Sequence, residues 1–105
     1  MKSKQRRLAE AASLYFDVPL EELRSPSREQ VYAWPRHVCQ WIASDAGYKK
    51  PVIARFWNRD RTVVYNSVRR VKFLMETSKQ KEKEVKDFMT FAKSYLNHEQ
   101  EEVPK

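Results

Sequence analysis

From Asp60 to Arg69 the chain reads Asp-Arg-Thr-Val-Val-Tyr-Asn-Ser-Val-Arg. Wound as a helix, this run puts Val64 and Val68 on one face and Arg61, Thr62, Tyr65, Asn66 and Arg69 on the other. The outer set has the chemistry of a base reader. Arginine grips guanine with two hydrogen bonds, asparagine does the same for adenine, and threonine offers a hydroxyl and a methyl; each good pairing discriminates by about 1–3 kcal/mol. A recognition helix enters the major groove by its N-terminus, so Arg61 and Thr62 are expected to lead. Arg69 and Arg70, further along, are expected at phosphates. Asp60 is expected to cap the helix, with acceptance from a cytosine amino group as its alternative role.

The elements that must hold such a face in place are legible around it. Pro51 suits the first position of a short helix ending at Phe56 or Trp57. Asn58-Arg59 forms a tight turn, where asparagine tolerates a positive φ best after glycine. A longer helix follows over about Arg61–Glu76, with Val64, Val68, Val71 and Met75 as its inner stripe and Leu74 alongside. Small Ala54 allows the two helices a close approach. Short helix, turn and amphipathic helix together are the helix-turn-helix layout.

Charge points the same way. The 105 residues carry 21 Lys+Arg and 14 Asp+Glu, for a formal net charge of +7. Residues 1–75 hold 15 basic against 7 acidic side chains, and residues 76–105 hold 6 against 7. Within residues 49–72, Lys49, Lys50, Arg55, Arg59, Arg61, Arg69, Arg70 and Lys72 face Asp60 alone. A segment that repels itself this strongly suits an anionic partner.

Elsewhere a period of 3.6 dominates and the chain reads as all-α, with five or six helices. The first helix is predicted over Ser3–Tyr15, with Leu8, Ala11, Ala12 and Tyr15 on one face and Phe16 beside them. Asp17-Val18-Pro19 breaks it, and Leu20–Leu23 makes one further turn. Ser27-Arg28-Glu29-Gln30 has the form of a capping box for a helix reaching Asp45 or Ala46. Its inner face is expected to be Val31, Val38, Cys39 and Ile42, with Gly47 stopping it. Pro35 demands either a late start near Tyr32 or a bend. Residues 79–84 are wholly polar. A last helix then runs to about His98 on the stripe Val85, Phe88, Met89, Ala92, Tyr95 and Leu96. It is expected to lie back on the domain; a homodimer or a protein partner held through Val85, Phe88, Met89, Ala92 and Leu96 is the alternative. The organisation is thus a helix-turn-helix domain over residues 3–77, a C-terminal helix over 78–98, and a flexible tail over 99–105.

The segment Phe56-Trp57-Asn58-Arg59-Asp60-Arg61-Thr62-Val63-Val64 resembles the signature of the C-terminal DNA-binding domain of the bacterial replication initiator DnaA, roughly Phe-Gly-Gly-Arg-Asp-His-Thr-Thr-Val. Ala33-Trp34-Pro35-Arg36-His37 is similar to that family's Ala-Arg-Pro-Arg-Gln, and Leu8–Leu23 to its first two helices. The resemblance spans about residues 6–77. It implies that Arg28 enters the minor groove, that Asp60 and Thr62 read bases, that Arg36 holds a phosphate, and that Arg70 lies near the backbone. Arg61 stands where the family has His, Val63 where it has the second Thr, and Trp57-Asn58 where it has Gly-Gly. The family's ATPase domain has no counterpart here.

The combined expectation is a sequence-specific binder of double-stranded DNA, a small regulator of transcription or replication that is cytoplasmic and nucleoid-associated. The base readers are Arg28, Asp60, Arg61, Thr62, Tyr65 and Asn66. The phosphate contacts are Arg36, Lys49, Lys50, Arg59, Arg69 and Arg70. The competing readings are an interaction adaptor working through the C-terminal helix and sequence-neutral coating of DNA.

Other chemistries find little support. One glycine excludes a glycine-rich phosphate loop, so no nucleotide or other cofactor is expected. One cysteine excludes an internal disulfide. His37 and Cys39, two apart on a helix, point to different faces and make a poor metal site. No grouping suggests an enzyme. No apolar run approaches the roughly 18 residues of a membrane span. Cys39 and Trp57 are expected in the core.

Overall fold

The computed structural model describes residues 3–26 and 29–101, with side chains to residue 97. Its six helices are α1 (Lys4–Phe16), α2 (Leu20–Arg24), α3 (Gln30–Asp45), α4 (Lys50–Trp57), α5 (Arg61–Thr77) and α6 (Lys79–Glu101). No strand occurs among the described residues, and the all-α helix-turn-helix architecture is as read from the sequence.

Each helix begins and ends for a local reason. Ser3 caps α1, its hydroxyl accepting from the Arg6 N–H at 3.1 Å. Asp17 ends α1 in the left-handed region at φ 56°, and the Val18 N–H reaches back to the Ser13 carbonyl at 3.1 Å. After α3, Gly47 takes φ 108°. The Gly47 and Tyr48 amides then bond the Ser44 and Ala43 carbonyls, a Schellman closure. Asn58 repeats the device after α4 at φ 54°, with the Arg59 N–H on the Ala54 carbonyl at 2.9 Å.

The start of α3 departs from expectation. The N-cap position is Glu29, not Ser27, and no side chain caps it; Ser27 itself lies outside the described residues. Pro35 sits inside the helix, so neither a start at Tyr32 nor a proline in the first turn applies. Lacking an N–H, Pro35 leaves the Val31 carbonyl without its helical donor. Val31 is 56% exposed, so it is not on the inner face as its spacing suggested.

The polar stretch 79–84 forms the first turns of α6. Ser78 caps it through the Lys81 N–H at 3.2 Å. Lys83–Asp87 at 2.8 Å and Lys86–Glu82 at 3.2 Å then brace successive turns. Glu84 accepts from the Trp34 indole N–H, and the Lys81 ammonium lies 4.6 Å from the centre of that ring. Apolar periodicity carries none of this. At the other end, the helix continues through residues 99–101, which were expected in the tail; residues 102–105 lie outside the described residues.

One core joins the helices. Leu8, Ala11 and Ala12 of α1, Leu23 of α2, Val38 and Cys39 of α3, Ile53 and Trp57 of α4, Val64 and Val71 of α5, and Val85 and Phe88 of α6 all pack into it. Trp57 and Phe88 are the largest of these side chains, each stabilising the fold by on the order of 2–3 kcal/mol over exposure. Phe88 packs against the rings of Tyr15 and Phe16 at 5.4 and 5.2 Å. Of the α6 stripe, Val85 and Phe88 are fully enclosed and Ala92 nearly so. Met89, Tyr95 and Leu96 are half-buried. The side chains a second copy would need most are therefore already covered by their own chain.

Candidate nucleic-acid interface

The core packing of Val64, Ser67 and Val71 fixes the rotation of α5 about its axis. That rotation leaves Arg61, Thr62, Val63, Tyr65, Asn66, Arg69 and Arg70 exposed. Ser67, which the apolar pattern passes over, turns inward and satisfies its hydroxyl on the Val63 carbonyl at 3.0 Å. Behind this face α4 is held by Ile53, Ala54 and Trp57, all buried. Trp57 thus belongs to the packing between the helices and not to an exposed stacking surface.

Asp60 stands at the N-cap position of α5, but its side chain makes no capping hydrogen bond. The expectation of a side-chain cap is therefore corrected: the extended backbone at φ −64° and ψ 145° sets the helix start, and the carboxylate is exposed. It stands at the N-terminal tip of the exposed face, beside Arg61.

Two grooves flank α5. The first is lined by Tyr48, Lys49, Lys50, Pro51, Arg61, Thr62, Tyr65, Asn66 and Arg69. It gathers five of the expected base or phosphate contacts of α5 with both lysines of the α3–α4 junction. Lys50 donates to the Ser44 hydroxyl at 2.9 Å and holds its ammonium 5.2 Å from the Tyr65 ring centre. Lys49 extends from the N-cap position of α4 and is exposed.

The second groove lies between the N-terminal half of α3 and α5. Pro26, Gln30, Ala33, Arg36, His37, Arg59, Val63 and Arg70 line it. Arg36 is only 5% exposed and donates from Nε to the Leu23 carbonyl at 2.8 Å. Burial, then the neighbouring Arg59, lowers its pKa to about 10, so it stays cationic at neutral pH. Arg59 closes the turn, donating to the Trp57 carbonyl at 3.0 Å and to that of Ser25. Its charge faces the groove while its hydrogen bonds fix the loop. Arg24 of α2 braces the same corner: it donates to the Phe56 carbonyl at 2.6 Å and lies 4.5 Å from the Phe56 ring centre.

His37 is half-buried at the wall of this groove. Burial first, then Arg36, Arg70 and Arg59, lowers its pKa from 6.5 to about 4. It is neutral in the free protein at physiological pH. Its position beside three arginines follows from the α3–α5 crossing and has no local sequence signal. Cys39, two residues on, is fully buried, and burial raises its thiol pKa well above the ordinary value.

Of the twelve expected contact residues, Arg28 lies outside the described residues. The structure brings the other eleven to α5, its N-terminal turn, and the two grooves beside it. The resulting surface is a polar ridge with a basic trough on either side. Such a shape can enter a groove of a duplex while its flanks meet the two phosphate backbones. Among the described residues, no helix is long and apolar enough to cross a membrane.

Comparison with known proteins agrees with the geometry. The family model described as the bacterial DnaA protein helix-turn-helix matches residues 5–71, well over half of the chain. The match takes in α1 through most of α5 and stops before α6. No curated protein matches.

Proposed function

The chain belongs to the bacterial DnaA helix-turn-helix family, a membership that supports binding to double-stranded DNA and points to a non-enzymatic role, and from it we propose that the protein reads a specific duplex sequence. In this reading the N-terminal turns of α5 lie in the major groove. Arg61, Thr62, Tyr65 and Asn66 meet base edges, and Asp60 accepts from a cytosine amino group at the helix tip. Lys49, Lys50 and Arg69 hold one phosphate backbone; Arg36, Arg59 and Arg70 hold the other. Arg28 reaches the adjacent minor groove, as its place in the family pattern implies.

The observation that carries this is the exposed polar face of α5 between two basic grooves. Such a module regulates by occupying its site, and we propose a small regulator of transcription or replication as its role.

Selection from a randomised duplex library at about 0.15 M salt tests the reading, because screening there leaves mainly short-range contacts. Enrichment of a motif several base pairs long supports it. Binding without enrichment means sequence-neutral coating, and no binding removes DNA as the partner.

A further inference from the structure

The groove between α3 and α5 contains a titratable ring that the reading above leaves idle. His37 lines it together with Arg36, Arg59 and Arg70. Its Nδ1 is buried and has no hydrogen-bond partner among the described residues. The charged groups that act on the ring come from every side of the groove: Arg36 from its own helix, Arg70 from α5, and Arg59 from the turn before α5. Among the described residues, no carboxylate lines the groove. From α2, the neighbouring group is the Leu23 carbonyl, which already accepts from Arg36.

Resting on the duplex-binding reading, we infer that His37 is a further phosphate ligand in this groove and takes up a proton as the phosphate seats. Three guanidinium groups with no acid among them make a place for an oxyanion. Until one arrives, a fourth positive charge is repelled and the imidazole stays neutral. A DNA phosphate reverses the local field. It offsets the arginines and gives the imidazolium an acceptor, so the charged ring becomes the favoured form. The proton comes from solvent; no bond other than N–H forms or breaks.

The linkage has a definite sign. A group that binds its proton more tightly in the complex strengthens the complex at low pH, and this contribution is lost as pH rises through the bound-state pKa. Affinity for DNA therefore increases on acidification below neutrality.

The test uses the full chain and a fluorescein-labelled mixed-sequence duplex at fixed low ionic strength, followed by anisotropy from pH 7.5 to 5.5. Wild type is expected to bind about tenfold more tightly at the acidic end, the effect of a ring that titrates near the middle of that range in the complex. His37→Gln keeps a polar side chain of similar reach and is expected to bind with little pH dependence. Parallel pH profiles for the two proteins overturn the inference while leaving duplex binding intact. Absence of binding at every pH overturns both. Ring resonances of His37 in the wild-type protein give a readout that needs no variant. Their titration midpoint is expected to move up by about two units or more when duplex is added, and an unmoved midpoint contradicts the assignment.

Discussion

The Lys50 ammonium lies 5.2 Å from the centre of the Tyr65 ring and donates to the Ser44 hydroxyl at 2.9 Å. One cation thereby links the end of α3, the start of α4 and the outer face of α5. Tyr65 is 55% exposed, so the contact does little to bury it. It orients an aromatic ring and a positive charge toward the same groove before any ligand arrives.

Tyr65→Ala should consequently separate binding from stability. The free protein loses an exposed cation–π contact, at most about 1 kcal/mol, and its melting curve moves little. Duplex affinity falls by about 1 kcal/mol or more if the ring meets a base. Thermal melts and anisotropy on the same preparation check both. A large loss of stability with unchanged binding would place Tyr65 in the scaffold instead.

Electrostatics sets the salt dependence. Arg36, Lys49, Lys50, Arg59, Arg69 and Arg70 are the proposed phosphate contacts. Neutralising about six phosphates gives a slope near −5 for log K against log salt. A slope near −1 would mean that the basic grooves do not engage the backbone.

Gln40 offers a probe of the scaffold. It is fully enclosed, and neither its Nε2 nor its Oε1 has a partner among the described residues. Replacing it by leucine removes two polar atoms at similar volume. Gln40→Leu is expected to stabilise the fold by about 1–3 kcal/mol, measured by urea denaturation. A comparable loss would show that the amide is hydrogen-bonded in solution.

Acid stability follows from His37. Its pKa falls from 6.5 in an exposed setting to about 4 in the fold. The folded state thus binds this proton less tightly than the unfolded chain does. The contribution to stability is full above about pH 6.5 and is lost as pH falls toward about 4. His37→Gln has no such proton to refuse. The melting temperature of wild type relative to the variant should drop across that window, and a constant difference would contradict it.

Much of this was legible in the sequence because the local signals were strong. Asn58 and Gly47 take the positive φ their types suggest. Val64 and Val71 fix the buried face of α5, and so its reading face. Where the reading failed, the deciding interactions were not periodic. Val31 has the spacing of a core residue, yet it falls in the first turn of α3 and is exposed. The burial of Arg36 and the setting of His37 depend on how α2, α3 and α5 cross, which no window along the chain contains.

The central claim is that Arg61 reads bases whereas Arg70 holds a phosphate. Both are exposed on the same helix, so their chemistry alone does not distinguish them. The direct measurement compares Arg61→Ala and Arg70→Ala on the selected duplex and on duplexes changed at single base pairs. Arg61→Ala is expected to flatten the preference at one position, removing about 1–3 kcal/mol of discrimination there. Arg70→Ala should weaken every duplex alike and lower the salt slope by about one. Equal losses from both variants on all duplexes would contradict base reading by α5.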